Sequence, residues 1–315
     1  MTYNITTMNT SLKTILVAID FSTGSRAALE QAERLATRHE AKLHVLHVID
    51  SVALATLAGH RAEPFESAAR TAVEGGRKAL EAWLAQTPLS PPHEITLVVG
   101  APLHEILQHA KYLHADLLVA GVAGSGENPA GAGSVSGKLA RKSPVNVLLV
   151  RSGHSQAFQK IVTCVDFSEH SQRVAEITRD LAFREVAAVD FVHVWADPGS
   201  MLPVMGPFGE SGLSMSQAAL PPPEELTTAL REQLHKLVLE AASGISAQEI
   251  LHEDRRVGHG IADYAEIAGA DLIIIGAFGR TNLRYLLLGS TAERLLSRVP
   301  CSVLVVKPAD AAADA

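Results

Sequence analysis

The sequence predicts two tandem α/β units, each a doubly wound parallel five-stranded sheet of Rossmann-like form, and three observations carry that prediction. The chain repeats itself, short apolar runs alternate with segments of helical period, and the cores must be built from aliphatic residues. Of 315 residues 47% are hydrophobic but only 4% are aromatic, the make-up of sheets buried on both faces. The length suits two domains of ordinary size, each with its own core.

The repeat is direct. Residues 14–22 read TILVAIDFS and residues 160–168 read KIVTCVDFS, which sets Asp20-Phe21-Ser22 on Asp166-Phe167-Ser168 at an offset of 146. The same offset carries His47-Val48 onto His193-Val194. Ala115–Gly121 matches Ala270–Gly276 at 155, and Gly133-Ser134 and Pro144 match Gly289-Ser290 and Pro300 at 156. Self-similarity of this kind marks a duplicated unit. The rising offset assigns extra residues to the second copy, mostly in 196–225, where Gly, Pro, Ser and Met predict a mobile loop without regular structure.

Within each copy the order is strand, helix, strand, helix, strand, helix, strand, helix, strand. In copy two the strands are expected near 160–166, 188–195, 249–257, 271–276 and 301–307. Between them, Val174, Ile177 and Leu181, then Ala292, Leu295 and Leu296, keep a helical period. Alternation of strands with helices implies a parallel, doubly wound sheet. The expected domains are 10–151 and 159–308, joined by a linker at 151–159, with 309–315 a frayed tail.

Composition excludes several classes. A net charge of −7 without a Lys or Arg cluster argues against nucleic acid. Cys164 and Cys301 each lie in an apolar run, as small buried hydrophobes do in a reduced, cytoplasmic chain. The N-terminus has no charged start with an apolar core, and no apolar run approaches the roughly 18 residues of a membrane span. Neither export nor a membrane partner is expected.

In a doubly wound sheet the loops after the strands share one edge, where ligands bind at the reversal of strand order. After the fourth strand of copy two the pattern is Gly276, two residues, Gly279, nine residues, then Gly289-Ser290-Thr291 opening a helix. Glycines without Cβ let the backbone approach an anion, and the helix start supplies N–H groups and partial positive charge. Ser290 and Thr291 add hydroxyl donors. Any one of these glycines has an ordinary use in a tight turn. The whole pattern, set between a buried strand and a helix, points to phosphate.

Asp166, ending the first strand of copy two, is expected to cap the following helix, a role compatible with a place beside a ligand. Arg280 and Arg284 stay outside the expected site, since loop arginines are mostly solvated.

With these residues in place the sequence resembles the universal stress protein family in its tandem two-domain form, over nearly the whole chain. The resemblance rests on the Asp ending the first strand, His-Val in the second, Ala-Asp-Leu opening the fourth, the glycine pattern, and the Pro-Cys-Ser-Val-Leu-Val-Val close. It implies ATP as ligand. Gly276, Gly279, Gly289 and Ser290 would hold phosphates and ribose, Asp166 would lie beside the nucleotide and its Mg²⁺, and Val194 would contact the adenine region. It also implies pairing of the last strands, 145–150 and 301–307, as an intrachain pseudo-dimer that hides two sheet edges. Further association into a homo-oligomer is left open.

Copy one departs from the pattern. From Gly124 to Gly133 only eight residues intervene, and they include Glu127 and Pro129. A carboxylate repels phosphate and a proline lacks a donor, so this copy is not expected to bind ATP in the usual way. Gly133 to Leu139 is a near miss to a P-loop, with Leu139 where a hydroxyl would meet Mg²⁺. His104, His109 and His114, five apart, fall on different helix faces. His47 and His193 read as hydrogen-bonded core histidines, and His252 with Asp254 falls short of a metal set.

Three functions fit these residues: an ATP-binding regulatory protein of the stress response with little or no turnover, a slow Mg-dependent ATPase or phosphotransfer enzyme, and a nucleotide-free scaffold. The intact loop favours the first. In it, occupancy of copy two acts on a protein partner through the 196–225 segment.

Overall fold

The computed structural model describes residues 12–87, 89, 93–124, 131–153, 155–197, 222–279 and 288–308. Most of the 196–225 insert, Glu127, Pro129, Arg280, Arg284 and the 309–315 tail lie outside these residues. The chain divides into unit 1, Met1–Ala157 with Cys301–Ala315, and unit 2, Phe158–Pro300.

Unit 1 runs β1 (Thr14–Ile19), α1 (Thr23–His39), β2 (Lys42–Asp50), α2 (Ser51–His60), α3 (Phe65–Leu84), β3 (His93–Gly100), α4 (Pro102–Tyr112), β4 (Leu117–Gly121), α5 (Ser134–Lys142) and β5 (Asn146–Val150). Its parallel strands lie in the order β3-β2-β1-β4-β5. Strand order reverses between β1 and β4, which is the doubly wound arrangement. Unit 2 runs β6 (Lys160–Cys164), α6 (Glu169–Glu185), β7 (Ala188–Trp195), α7 (Pro223–Ala241), β8 (Ser246–Glu253), α8 (Val257–Ile267), β9 (Leu272–Gly276) and α9 (Ser290–Ser297). Its parallel order is β9-β6-β7-β8, with the reversal between β6 and β9.

The last strand, β10 (Ser302–Val306), belongs to unit 1 and lies antiparallel on β5, with Val303 opposite Leu149 and Val305 opposite Val147. Five parallel strands are therefore found in unit 1, whereas unit 2 holds four among the described residues. Every residue of SVLVV is buried, and the strand covers the β5 edge.

Two other expectations are refined. The third strand of copy two lies at 246–253 rather than 249–257. It is polar and half exposed, and Asp254 accepts the Arg256 N–H at 2.6 Å to turn the chain into α8. Copy one also has α2, which the repeat does not reveal. Asp50 caps it through the Val52 and Ala53 N–H groups, and Leu54 and Ala58 pack with Ala68, Ile49 and Val99.

The central strands β1, β6 and β9 are almost wholly buried. The Ala-Asp-Leu motif has a structural task at their N-terminal ends. Asp116 Oδ2 accepts the Lys13 and Thr14 N–H groups at 2.7 and 2.9 Å, and Asp271 Oδ2 accepts the Gln159 N–H at 2.7 Å. Each staples the first strand of its copy beside the fourth.

Candidate functional site

Strand order in unit 2 reverses between β6 and β9, and a cavity of about 450 Å³ lies at their C-terminal ends. Asp166, Val194, Gly276, Gly279, Gly289, Ser290 and Thr291 all line it. They come from the loop after β6, the end of β7, the loop after β9 and the start of α9. Cys164, His170, Leu226, Leu230, Val257 and Ile261 also contribute, and sequence reasoning did not pick them. The signal for four of these was present: Leu226 and Leu230 are i, i+4 just after the insert, and Val257 and Ile261 repeat that spacing on α8.

Asp166 is held at Oδ1. Its Oδ1 accepts the Ser168 N–H at 3.1 Å, the Ser168 hydroxyl at 2.6 Å and the Ser171 hydroxyl at 2.8 Å. In unit 1 the matching hydroxyls point elsewhere: Ser22 Oγ caps α1 by accepting the Ser25 N–H, and Ser25 Oγ donates to the Ser22 carbonyl. In unit 2 the cap is given up, for no side chain caps α6. Asp166 therefore orders the turn between β6 and α6.

The next residue, Phe167, takes a left-handed φ of 62°. Its ring lies 4.3 Å from that of His193, whose Nδ1–H donates to the Val165 carbonyl at 2.8 Å. A carbonyl only accepts, so the proton sits on Nδ1. Phe21 and His47 repeat the arrangement in unit 1, with His47 Nδ1 2.9 Å from the Ile19 carbonyl. These histidines brace the strand ends beside Val194 and Val48.

The three glycines differ in what makes them glycine. A Cβ on Gly276 would meet the His170 ring edge at 2.6 Å, and one on Gly279 would meet Asp166 Oδ2 at 2.6 Å. Among the described residues Gly289 has no such neighbour: its nearest atom there would be the Ala277 carbonyl oxygen at 3.4 Å, and its backbone, φ −72° and ψ 152°, is open to any residue. Its N–H donates to that carbonyl at 2.7 Å and closes the loop at the foot of α9. No side chain caps α9, which leaves its first-turn N–H groups for solvent or a ligand. A fourth glycine sets the helix position, because a Cβ on Gly258 would lie 2.8 Å from the Thr291 carbonyl oxygen.

Asp166 is the one acidic residue among the described residues of the wall. No group of three or more His, Cys, Asp or Glu suited to a metal occurs among the described residues. A lone carboxylate beside a glycine-lined helix start fits a Mg²⁺ only if a bound ligand's oxygens and water supply most of its coordination; it does not fit an ion held by protein alone. No described helix is long and apolar enough to cross a membrane.

Comparison with known proteins agrees with this architecture. The model of the universal stress protein family matches twice, over residues 11–151 and 157–307. A universal stress protein of Mycolicibacterium smegmatis is 26% identical over 311 residues, covering 93% of this chain and 97% of that one. One from Methanocaldococcus jannaschii is 32% identical over 165 residues, covering 50% of this chain and 87% of its own. Among solved structures, a universal stress protein from Archaeoglobus fulgidus superposes with a TM-score of 0.63 at 19% identity, covering 93% of this chain and 98% of that one. The chain belongs to the universal stress protein family, in a tandem form with two copies of the domain.

Proposed function

We propose that unit 2 binds ATP and holds it with little or no turnover, as a nucleotide-dependent regulatory protein of the stress response. The cavity volume lies within the range usual for small-molecule sites. Its wall divides by chemistry. Val194, Leu226, Leu230, Val257 and Ile261 offer an apolar surface for a base, while Gly279, Gly289, Ser290 and Thr291 gather backbone amides and hydroxyls at a helix start. Mg²⁺, when bound, supplies charge neutralisation to the phosphates. Asp166 is the residue that would contact it.

The observation that carries this reading is Gly289. Neither its backbone nor its neighbours among the described residues require a glycine, yet it lies in the cavity wall at the helix N-terminus. A missing side chain there makes room for a ligand rather than for the fold. Titration of Mg-ATP by calorimetry into the wild type and Gly289→Val tests it. The valine is expected to weaken binding by at least about tenfold, or 1.4 kcal/mol. Equal binding by the two proteins contradicts the assignment. Phosphate release that depends on Asp166 and Mg²⁺ would replace binding alone with a slow ATPase.

A further inference from the structure

The two copies also differ at a position that neither the glycine pattern nor the strand motifs include. The offset of 146 that joins Asp20 to Asp166 also joins Gly24 on α1 to His170 on α6. In unit 1 the loop after β4 has come down on that glycine. A Cβ at Gly24 would run into the Ala123 carbonyl oxygen, and one at Gly121 would lie 2.7 Å from the Gly24 carbonyl carbon. Backbone rests on backbone there, which only glycine permits.

In unit 2 the same place is filled by a side chain. His170 lines the cavity, and its ring edge, Cδ2 and Nε2, would stand 2.6 and 3.2 Å from a Cβ on Gly276. The residue matching Ala123 is Phe278. Because residue 170 carries a real Cβ, the Phe278 carbonyl cannot take the seat that the Ala123 carbonyl takes over Gly24. The contact between strand-end aspartate and second glycine is otherwise alike in the two units, 2.7 Å for Gly124 with Asp20 and 2.6 Å for Gly279 with Asp166. A difference between the copies thus lies at residues 24 and 170 and the carbonyl each one admits or excludes.

We propose that His170 is a positioning residue for the unit 2 site: its imidazole props the Gly276–Gly279 backbone away from α6 and keeps the cavity open. Gly24 lets the corresponding backbone of unit 1 close. The proposal rests on the nucleotide reading of the cavity for its ligand, but not for the state of the loop. It makes the bulk of the side chain, rather than its charge, the property that selects which copy takes nucleotide.

The test uses the full chain as wild type, His170→Gly and His170→Gln. Two quantities are measured: Mg-ATP affinity, and the rate at which iodoacetamide alkylates Cys164 without nucleotide. Cys164 lines the cavity and is partly exposed, whereas Cys301 is buried. If the glycine variant leaves the loop open less than a tenth of the time, Mg-ATP affinity falls by at least about tenfold, and Cys164 alkylation slows in step. His170→Gln keeps the bulk without an imidazole and is expected to behave as wild type in both measurements. Wild-type behaviour of His170→Gly in both, or failure of His170→Gln alongside it, overturns the proposal. A wild type that binds no Mg-ATP defeats the nucleotide reading instead, and the alkylation rates then decide the role of His170 alone: slowing in the glycine variant supports it and equal rates overturn it.

Discussion

A Cβ on Gly279 would lie 2.6 Å from Asp166 Oδ2, while Oδ1 of the same carboxylate takes three hydrogen bonds from Ser168 and Ser171. The loop after β9 can therefore sit on the aspartate only because residue 279 has no side chain. Gly279→Ala must move either the loop or the carboxylate off its donors. A stability loss of about 1 to 3 kcal/mol is expected, together with weaker Mg-ATP binding. Gly124→Ala, which meets Asp20 Oδ2 at 2.7 Å, is expected to lose stability and leave Mg-ATP affinity unchanged. Urea unfolding and calorimetry on both variants check the pair.

A second prediction concerns the opposite end of the unit 2 sheet. Asp190 on β7 is 1% exposed and is bound by Lys160 Nζ at 2.7 Å and by the Tyr264 hydroxyl at 2.8 Å. Burial, then the hydrogen bond and charge of Asp190, hold the Tyr264 phenol above its ordinary pKa. Removing the carboxylate leaves an ammonium and a hydroxyl without their partner, so Asp190→Ala should cost about 3 kcal/mol and Tyr264→Phe about 1 kcal/mol. Asp190 is four residues from Val194, about 13 Å along a strand. Denaturant unfolding should register both losses while Mg-ATP affinity stays at the wild-type value.

A third follows from Lys307 at the end of β10. Its Nζ donates to the Ala140 and Arg141 carbonyls in the last turn of α5 at 2.7 and 3.0 Å, and burial lowers its pKa from 10.5 to about 8. The unfolded chain then holds this proton more tightly than the folded one. Stability should rise with pH between about 8 and 10.5, and the gain is lost again as pH falls back to 8. The difference in unfolding free energy between wild type and Lys307→Met, followed across that window, isolates the slope. Tyr264 acts in the opposite sense only above its ordinary value of 10.0 and cancels because both proteins keep it. A flat difference curve contradicts the assignment.

The repeat made most of the fold legible. Apolar runs such as LIIIG at 272–276 are strands buried on both faces, because an unbroken aliphatic run too short for a helix can only be covered from two sides. Edges were harder: β8 is polar along most of its length, so its burial signal is weak and its start shifted by three residues. Helix α2 has no counterpart among the described residues of unit 2 and owes its place to the Asp50 cap and the Leu54 and Ala58 contacts. At the site, glycines and hydroxyls could be picked out by their spacing between a buried strand and a helix, and all of them line the cavity. His170 could not, since its effect depends on which carbonyl would occupy the space that it fills, and that is a property of two loops in three dimensions.

The central claim is that one copy of the duplicated domain, unit 2, takes the nucleotide. Calorimetric titration of Mg-ATP into the intact chain measures this as a molar ratio. One ATP per chain, lost in Gly289→Val, is the expected result. Two equivalent ATP molecules per chain, or none, would contradict it.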